Sequence, residues 1–439
     1  MDIETKLNQN KRVQMQKRQN PNSPFRVLLA SMIGTAIEFF DFYIYATAAV
    51  LVFPTLFFPP GDSTIATLQS LATFALAFFA RPIGSALFGH YGDRIGRKVT
   101  LVAALMTMGI STICIGLLPS YNSIGIAATV LLCLCRVGQG IGLGGEWGGA
   151  VLLAIENAPE KKRALYGMFP QLGAPVGFIC STCVFLFLTH NLSDADFFSW
   201  GWRIPFIASA LLVLVGLYVR LSLEETPAFK RAIESKQRVR VPILNVLTQY
   251  KQILIVGAFL AIAAFVVFYI MTVFSLGWGT SKLGYTRESF LILQLYAVFA
   301  MAIAIYVSAL TADWIGRRAM MMISGASVIA FGFIFAPLFN SGSSVEILLM
   351  LSFGFGVMGL TYGSLGTALA EIFPTTVRYT GASLSFNLAG IIGASLTPAI
   401  ASWLGVNFGL SSIGYYISFA GLLTLAAASR LPKNTRKVL

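Results

Sequence analysis

Charged side chains are scarce in this sequence. Asp, Glu, Lys and Arg together make up 11% of its 439 residues, against roughly 25% in an ordinary soluble domain. There are only two His and five Cys, and they are not spaced as the ligands of a metal site or the pairs of a disulfide framework. The shortage of polar surface excludes a water-soluble globule of this size. The lack of a metal-ligand cluster, a nucleophile–base set or a nucleotide motif argues against an enzyme and predicts no cofactor.

Apolar segments, in contrast, run along the whole chain. Hydrophobic residues make up 56% of it, and the mean hydropathy is +0.76. A helix needs about 20 apolar residues to cross a bilayer, and the pattern predicts twelve such helices, so the fold class is all-α integral membrane. The predicted spans lie near 27–52, 65–90, 99–118, 123–153, 164–188, 201–222, 252–277, 289–311, 319–338, 346–370, 380–404 and 411–429.

The basic residues predict the orientation of these spans. Of the 31 Lys and Arg, 26 fall in the tails, the central stretch and the loops of one face, and only 3 on the opposite face. Basic residues are enriched in cytoplasmic loops. The face with the 26, called the basic face below, is therefore predicted to be cytoplasmic, together with both termini. The net charge of +13 is explained by topology, and no nucleic-acid partner is expected.

Two charged motifs recur at nearly constant spacing. Asp93-Arg-Ile-Gly-Arg-Lys follows the second predicted span, and Asp313-Trp-Ile-Gly-Arg-Arg follows the eighth. A Glu and an Arg seven residues apart follow the fourth span and recur after the tenth. This repeat predicts two homologous six-helix bundles. The predicted divisions are a cytoplasmic tail 1–26, a bundle 27–222, a cytoplasmic linker 223–251, a bundle 252–429 and a cytoplasmic tail 430–439.

The duplicated charges are predicted to form a cytoplasmic gate. Acids and bases at the seam between the bundles can pair when the cytoplasmic side is closed and separate when it opens. In the simpler alternative, they are loop charges that only set the topology. The proposed pairs join Glu156 and Arg163 with Arg97 and Asp93, and Glu371 and Arg378 with Arg317 and Asp313. The full predicted gate is Asp93, Arg94, Arg97, Glu156, Arg163, Asp313, Arg317, Glu371 and Arg378.

The doubled Asp-x-x-Gly-Arg loop and the twelve spans resemble the major facilitator superfamily. Further motifs are similar to its metabolite:proton symporters, which include carriers of shikimate, 2-oxoglutarate, citrate, and proline or betaine. These motifs are Glu38-Phe-Phe-Asp41-Phe, Phe79-Ala-Arg81-Pro82-x-Gly84, Arg136-x-x-Gln139-Gly140, Gly144-Gly-Glu146-Trp-Gly-Gly149 and Trp200-Gly-Trp-Arg203-x-Pro205. The resemblance covers essentially the whole chain. It implies the major facilitator fold and transport in a bacterial plasma (inner) membrane, but it does not fix the substrate.

Five ionisable residues fall inside the predicted spans, where charge is costly and is a functional candidate by default. They are Glu38, Asp41, Arg81, Arg136 and Glu146. The three acids are candidates for proton coupling. Asp41 is the first choice, because it is predicted to lie deeper than Glu38 and because it matches the motif of the symporter group. A structural alternative is a pair of buried ion bridges, Asp41–Arg136 and Glu38–Arg81, that only hold spans together.

Substrate-binding candidates follow from the same depth argument. The guanidinium of arginine suits a carboxylate, because its planar fork is bidentate and stays charged, so Arg81 and Arg136 are candidates, with Gln139 beside the latter. The second bundle has no ionisable residue at this depth. Its predicted contribution to the site comes from the polar residues Tyr269, Gln294, Tyr362 and Asn387. In the alternative, these four side chains only pack between helices.

The predicted function is proton-coupled uptake of a small organic anion or zwitterion by alternating access. Its expected partners are a small substrate bearing a carboxylate, protons and the lipid bilayer, and the carrier is expected to be a monomer. A proton antiporter that exports a drug or metabolite is the alternative. A channel fits less well, because duplicated gating loops suit a carrier.

Overall fold

The computed structural model describes residues 24–95, 97–221, 242–374 and 377–432. Helices make up nearly all of these residues, and none of them forms a strand. The all-α fold class is therefore confirmed. The side chains of residues 92–95 and of Arg97 lie outside the described part of the chain. The predicted gate residues Asp93, Arg94 and Arg97 are among them.

The prediction of twelve spans is also confirmed. Each helix below is long and apolar enough to cross a membrane. Spans one to six are Phe25–Leu51, Ile65–Tyr91, Lys98–Leu117, Ile126–Glu156, Arg163–Asn191 and Gly201–Leu221. Spans seven to twelve are Lys251–Ser281, Arg287–Ile315, Arg317–Asn340, Ser344–Glu371, Arg378–Phe408 and Leu410–Ser429. These two sets are called the N-terminal and C-terminal halves below.

Four spans are not continuous α-helices, and one of them, span six, begins with the 3₁₀ turn Gly201–Arg203. Span four divides into Ile126–Gly144 and Trp147–Glu156, where two successive glycines precede Glu146. Span seven contains a π-helical turn at Ile270–Phe274, and span eleven contains one at Ile391–Ser395. The shorter helices are Phe53–Leu56, Tyr121–Ile124, Glu160–Lys162, Asp194–Ser199, Gly201–Arg203 and Pro242–Gln249. The last of these falls within the stretch predicted as a linker, and it packs through Val246 onto the start of span seven and onto span eleven.

Small residues let span two and span four pack backbone against backbone. A Cβ added to Gly84 would lie 2.0 Å from the carbonyl oxygen of Ile141, and one added to Gly144 would lie 2.0 Å from that of Arg81. Close approach through small residues is the usual means of helix association in membranes. The seam between the halves is formed mainly by span five against span eight and by span two against span eleven.

Candidate functional site

A small cavity lies between the two halves. Spans one and two line it from one side, and spans seven, ten and eleven line it from the other. Its lining residues are Glu38, Phe39, Tyr43, Arg81, Ala264, Phe265, Phe268, Tyr269, Met358, Tyr362 and Phe386. Four of the predicted site residues, Glu38, Arg81, Tyr269 and Tyr362, thus meet around one space.

Glu38 and Arg81 bring opposite charges to this cavity. Both residues are buried, at 3% and 5% exposure, yet the described residues form no ion pair between them within 4.0 Å. The suggested Glu38–Arg81 bridge is therefore wrong for this conformation. One oxygen of Glu38, Oε2, and the Nε of Arg81 have no hydrogen-bond partner. The guanidinium of Arg81 instead lies over the ring of Phe78 at 4.6 Å and that of Phe42 at 5.0 Å.

Asp41 lies one helical turn further along span one, and it does not line the cavity. Its carboxylate is 1% exposed and accepts two hydrogen bonds from neutral hydroxyl groups. Thr112 Oγ1 donates to Oδ2 at 3.0 Å, and Ser209 Oγ donates to Oδ1 at 2.6 Å. Asp41 is thus enclosed by spans one, three and six. Its hydrogen-bonding groups are neutral.

Arg136 is held by rings and an amide rather than by Asp41. Its guanidinium lies 3.9 Å from the centre of the Tyr45 ring, and Nη1 donates to Gln139 Oε1 at 2.9 Å. Gln139 Nε2 in turn donates to Thr112 Oγ1 at 2.8 Å. The suggested direct Asp41–Arg136 bridge is therefore wrong, because Gln139 and Thr112 stand between the two charges. Arg136 and Gln139 lie outside the cavity lining, and their predicted contact with substrate finds no support in this conformation.

Glu146 forms an ion pair that the sequence analysis did not foresee. Its partner is Arg220 in span six, and both side chains are buried. The other amino group of Arg220, Nη1, donates to the carbonyl of Leu101 at 2.6 Å. Sequence analysis counted Arg220 among the basic residues of the central stretch, although the predicted span 201–222 contains it. The available signal was its apolar neighbours Val219 and Leu221.

A layer of contacts between the halves separates the cavity from the basic face. The rings of Trp147 and Phe386 stack face to face, 3.7 Å apart and inclined by 3°. Asn387 Nδ2 donates to Ser85 Oγ at 2.5 Å, and Tyr379 donates its hydroxyl hydrogen to the carbonyl of Gly145. Asn387 is therefore part of this closing layer and does not line the cavity. The layer joins span eleven to spans two and four.

At the basic face, the duplicated charges of the C-terminal half contact the start of span five. Asp313 accepts hydrogen bonds from the backbone N–H groups of Ala164 and Leu165, at 3.0 and 2.9 Å, at the start of span five. Arg317 lies 3.2 Å from Asp313 and 3.1 Å from Glu371. This geometry contains the proposed Arg317–Glu371 pair. Asp313 also provides an acceptor at the N-terminus of span five. Backbone N–H groups there lack partners within the helix, and the helix dipole favours a negative charge.

Three remaining gate candidates lie at the same end of the bundle. Arg163 starts span five, and its carbonyl accepts a hydrogen bond from Thr367 at 3.4 Å. Arg378 starts span eleven and donates through Nε to the carbonyl of Phe373 at 3.2 Å. Glu156 ends span four. Their role as a gate stays a prediction.

Contacts between the halves also exist at the opposite face. His190 Nδ1 of span five lies 3.2 Å from Glu288 Oε1 of span eight. Arg287 lies 4.0 Å from Asp194, which begins the short helix after span five. Both ends of the seam between the halves are therefore bridged in this conformation.

Comparison with known proteins places the chain in a family. It is 56% identical over 411 residues to the inner membrane metabolite transport protein YhjE of Escherichia coli (strain K12), covering 92% of this chain and 93% of that protein. The chain belongs to the major facilitator superfamily. Residues 27–240 match the family model "Sugar (and other) transporter". The shikimate transporter of the same organism is 35% identical, with 94% of this chain and 95% of that protein covered.

The fold of this facilitator is shared with a solved transporter. The proton:xylose symporter XylE, bound to 6-bromo-6-deoxy-D-glucose, superimposes with a TM-score of 0.74 at 18% identity. The match covers 94% of this chain and 97% of that one. The identity to the metabolite and shikimate transporters, together with the twelve spans, shows that this facilitator is a multi-pass transporter of small molecules, not an enzyme.

Gln294, a predicted substrate-binding residue of this facilitator, makes structural hydrogen bonds instead. Gln294 of span eight donates through Nε2 to the carbonyls of Met271 and Thr272, both at 2.8 Å. These carbonyls belong to the π-helical turn of span seven, where the regular hydrogen-bond ladder is shifted. Gln294 therefore braces that turn rather than lining the cavity.

Proposed function

We propose that this facilitator takes up a small organic anion or zwitterion together with protons. The observation that carries the proposal is the separation of two buried charged sites on span one. Glu38 lines the cavity between the halves, opposite Arg81, whereas Asp41 lies one turn away in a closed hydrogen-bonded pocket. A substrate site and a proton site on one helix can influence each other through the position of that helix.

Asp41 is suited to bind and release the coupled proton. An ionised carboxylate that is buried without a cation is costly, and a bound proton removes that cost. Thr112 Oγ1 lies 3.0 Å from both Asp41 Oδ2 and the carbonyl of Met108. Its single hydrogen can point to the ionised acid. When Asp41 is protonated, its own hydrogen can point to Thr112 while that of Thr112 turns to Met108. Both protonation states therefore keep their hydrogen bonds.

Arg81 is the group that would bind the substrate's carboxylate. It faces the cavity, its Nε has no partner, and a guanidinium matches a carboxylate through two parallel hydrogen bonds. Transport by alternating access would then open and close the layer of Trp147 and Phe386 on one side and the His190–Glu288 contact on the other. The distribution of basic residues supports a cytoplasmic basic face and an inner-membrane carrier with both termini inside.

Asp41→Asn tests the coupling. In proteoliposomes with an imposed pH gradient and radiolabelled shikimate or glycine betaine as probes, we expect uphill accumulation to be abolished. Counterflow exchange, which needs no net proton movement, is expected to persist, because Asn resembles the protonated acid in shape and charge. Accumulation by Asp41→Asn at the wild-type level would refute the assignment of the proton to Asp41. Accumulation driven by the opposite pH gradient would indicate antiport.

The control variant is Glu346→Gln, which neutralises an acid in the first turn of span ten, far from both sites along the chain. It should leave accumulation and exchange unchanged. Melting temperatures of the same preparations separate a coupling defect from a folding defect. A purely structural Asp41 predicts that accumulation and exchange fall together with stability.

A further inference from the structure

Arg136 and Gln139 are buried polar residues that the proton mechanism above does not use. They are 0% and 1% exposed, and neither lines the cavity. Nη1 of Arg136 donates to Gln139 Oε1 at 2.9 Å, and Nη2 donates to the carbonyl of Phe74 at 3.4 Å. Among the described residues, no carboxylate lies within 4.0 Å of this guanidinium. The side chain that Arg136 contacts by hydrogen bonding is thus a neutral amide.

A directed chain of hydrogen bonds runs from Arg136 to Asp41. A guanidinium has donors only, so the oxygen of the Gln139 amide faces Arg136. The amide nitrogen is then left to donate to Thr112 Oγ1 at 2.8 Å. Thr112 accepts this bond with one lone pair and keeps its single hydrogen for Asp41 Oδ2, 3.0 Å away. Every donor in the chain therefore points toward the carboxylate.

The orientation of the amide matters because Thr112 has only one hydrogen to donate. If Gln139 were rotated by half a turn, its oxygen would face Thr112 and would compete with Asp41 for that hydrogen. In the observed orientation, the ionised Asp41 keeps its bond from Thr112. Hydrogen bonds to the charged form of an acid favour that form. The chain therefore helps Asp41 to release its proton.

We propose that Arg136 and Gln139 are positioning residues for the coupled proton, such that Arg136 orients the Gln139 amide and Gln139 orients the Thr112 hydroxyl toward Asp41. The inference rests on the proposed function, in which Asp41 carries the proton. Arg136 then acts on Asp41 through the orientation of neutral groups. A direct ion pair would instead favour the ionised acid in every state, whereas a coupling acid has to change its protonation state in each cycle.

The other charged groups around Asp41 are occupied elsewhere. The remaining charged residues of spans one, three, four and six are Arg26, Glu38, Lys98, Arg136, Glu146, Glu156, Arg203 and Arg220. Arg26, Lys98, Glu156 and Arg203 lie near the ends of their spans. Glu38 lines the cavity one turn away, and Glu146 forms its ion pair with Arg220. Arg136 is therefore the buried charge that the hydrogen-bonded chain joins to Asp41.

Infrared spectroscopy of the purified, full-length protein tests the proposal without a substrate. A protonated carboxyl group has a carbonyl stretch that is separate from the bands of a carboxylate, and the contribution of Asp41 is the part lost in Asp41→Asn. The titration of this band gives a midpoint, the pH at which half of Asp41 is protonated. In Gln139→Leu we expect the midpoint to rise by about one pH unit, a tenfold gain in proton affinity. Thr112→Val, which removes the hydroxyl itself, should raise it at least as much.

A double-variant cycle separates the effect of orientation from that of charge. Arg136→Met frees the Gln139 amide and should raise the midpoint, whereas Arg136→Lys, which also has donors only, should keep it near the wild-type value. In the Gln139→Leu background, Arg136→Met should have no further effect, because the group that it orients is gone. Charge acting through space predicts shifts that add. Ser209→Ala is the matched control, because it removes a hydroxyl outside the chain, and its shift should add to that of Arg136→Met.

Two results would overturn the inference. One is a wild-type midpoint in Gln139→Leu, and the other is additive shifts in Gln139→Leu and Arg136→Met. Melting temperatures of the same preparations identify variants that do not fold. If Arg136→Met is one of them, the midpoints of Gln139→Leu and Arg136→Lys still decide, since only the first is expected to move.

The outcome for the proposed function is separate. A wild-type midpoint in Gln139→Leu, combined with loss of accumulation in Asp41→Asn, would remove the positioning chain and leave the coupling role of Asp41 standing. A raised midpoint in Gln139→Leu, combined with normal accumulation by Asp41→Asn, would keep the chain and remove the coupling role. If no band of Asp41 titrates in the pH range where the protein is folded, both are overturned.

Discussion

The two halves of this transporter share an order of helices but bury different chemistry. In the N-terminal half, six charged side chains are buried within the spans: Glu38, Asp41, Arg81, Arg136, Glu146 and Arg220. Among the described residues of the C-terminal half, the buried charged residues are Arg317, Glu371 and Arg378, and all three lie where a span begins or ends at the basic face. The repeated charged motifs therefore lie at the basic face, whereas the buried charges of the interior belong to the N-terminal half.

The C-terminal half contributes rings and irregular helices instead. Seven of the eleven residues that line the cavity come from it, and they are apolar or carry a neutral hydroxyl. Its spans seven and eleven contain the π-helical turns, a feature often found at functional sites. The N-terminal half therefore holds the buried charges, and the C-terminal half supplies most of the cavity wall, whose irregular helices can change conformation.

The buried ion pair of the N-terminal half gives the largest expected effect. Arg220→Gln leaves Glu146 buried without its cation, which is expected to cost about 3–5 kcal/mol of stability. The measured quantity is the melting temperature in detergent. The double variant Glu146→Gln with Arg220→Gln removes both charges and should recover a large part of the loss.

The matched control for Arg220 comes from the other half. Arg430 directly follows span twelve, as Arg220 lies at the end of span six, but Arg430 is exposed. Arg430→Gln should change stability by no more than about 0.5 kcal/mol, as is usual for surface substitutions. Equal losses of stability in Arg220→Gln and Arg430→Gln would contradict the distinction between buried charges in the N-terminal half and charges at the basic face in the C-terminal half.

Sequence reasoning predicted the helices well and the side-chain pairs poorly. Span number and the duplicated loops follow from apolar length and from a fixed repeat, both of which are properties of the chain. Whether Asp41 meets Arg136 depends on which faces of spans one, three, four and six turn toward each other. Hydroxyls of Thr112 and Ser209, common packing residues in membrane helices, gave no signal of their role. Arg220 lies inside the predicted span 201–222 but was counted with the basic residues of the central stretch, because the end of a span cannot be placed within a few residues by composition.

A contact at the seam tests whether the two halves must separate at the basic face. A Cβ added to Gly148 would lie 1.9 Å from Ser383 Oγ and 3.2 Å from its Cβ. Gly148→Val should therefore prevent span four from closing against span eleven and favour the state open to the basic face. The reporter is Ala264→Cys in the cavity, on a background without the five natural cysteines. In inside-out vesicles, an impermeant maleimide should label it roughly tenfold faster, equivalent to about 1.4 kcal/mol.

Graded variants control for general damage at this seam. Gly148→Ala should have a smaller effect than Gly148→Val, and Ser383→Ala should partly reverse the alanine variant because it removes the nearest atom. Slower labelling in Gly148→Val, or no reversal by Ser383→Ala, would show that this contact does not control closure.

The smallest expected effect concerns Asp313, an acid of the C-terminal half that accepts hydrogen bonds at the start of span five in the N-terminal half. Asp313→Asn keeps a side-chain oxygen near the N–H groups of Ala164 and Leu165 but removes the negative charge that favours a helix N-terminus. The loss should be about 1 kcal/mol, so labelling of Ala264→Cys from the basic face should rise several-fold while the protein still reaches the membrane. Asp313→Ala, which removes both acceptors, should have a larger effect than Asp313→Asn. Unchanged labelling together with full transport in both variants would leave Asp313 as a topology charge, and the gate would then depend on the apolar layer of Trp147 and Phe386.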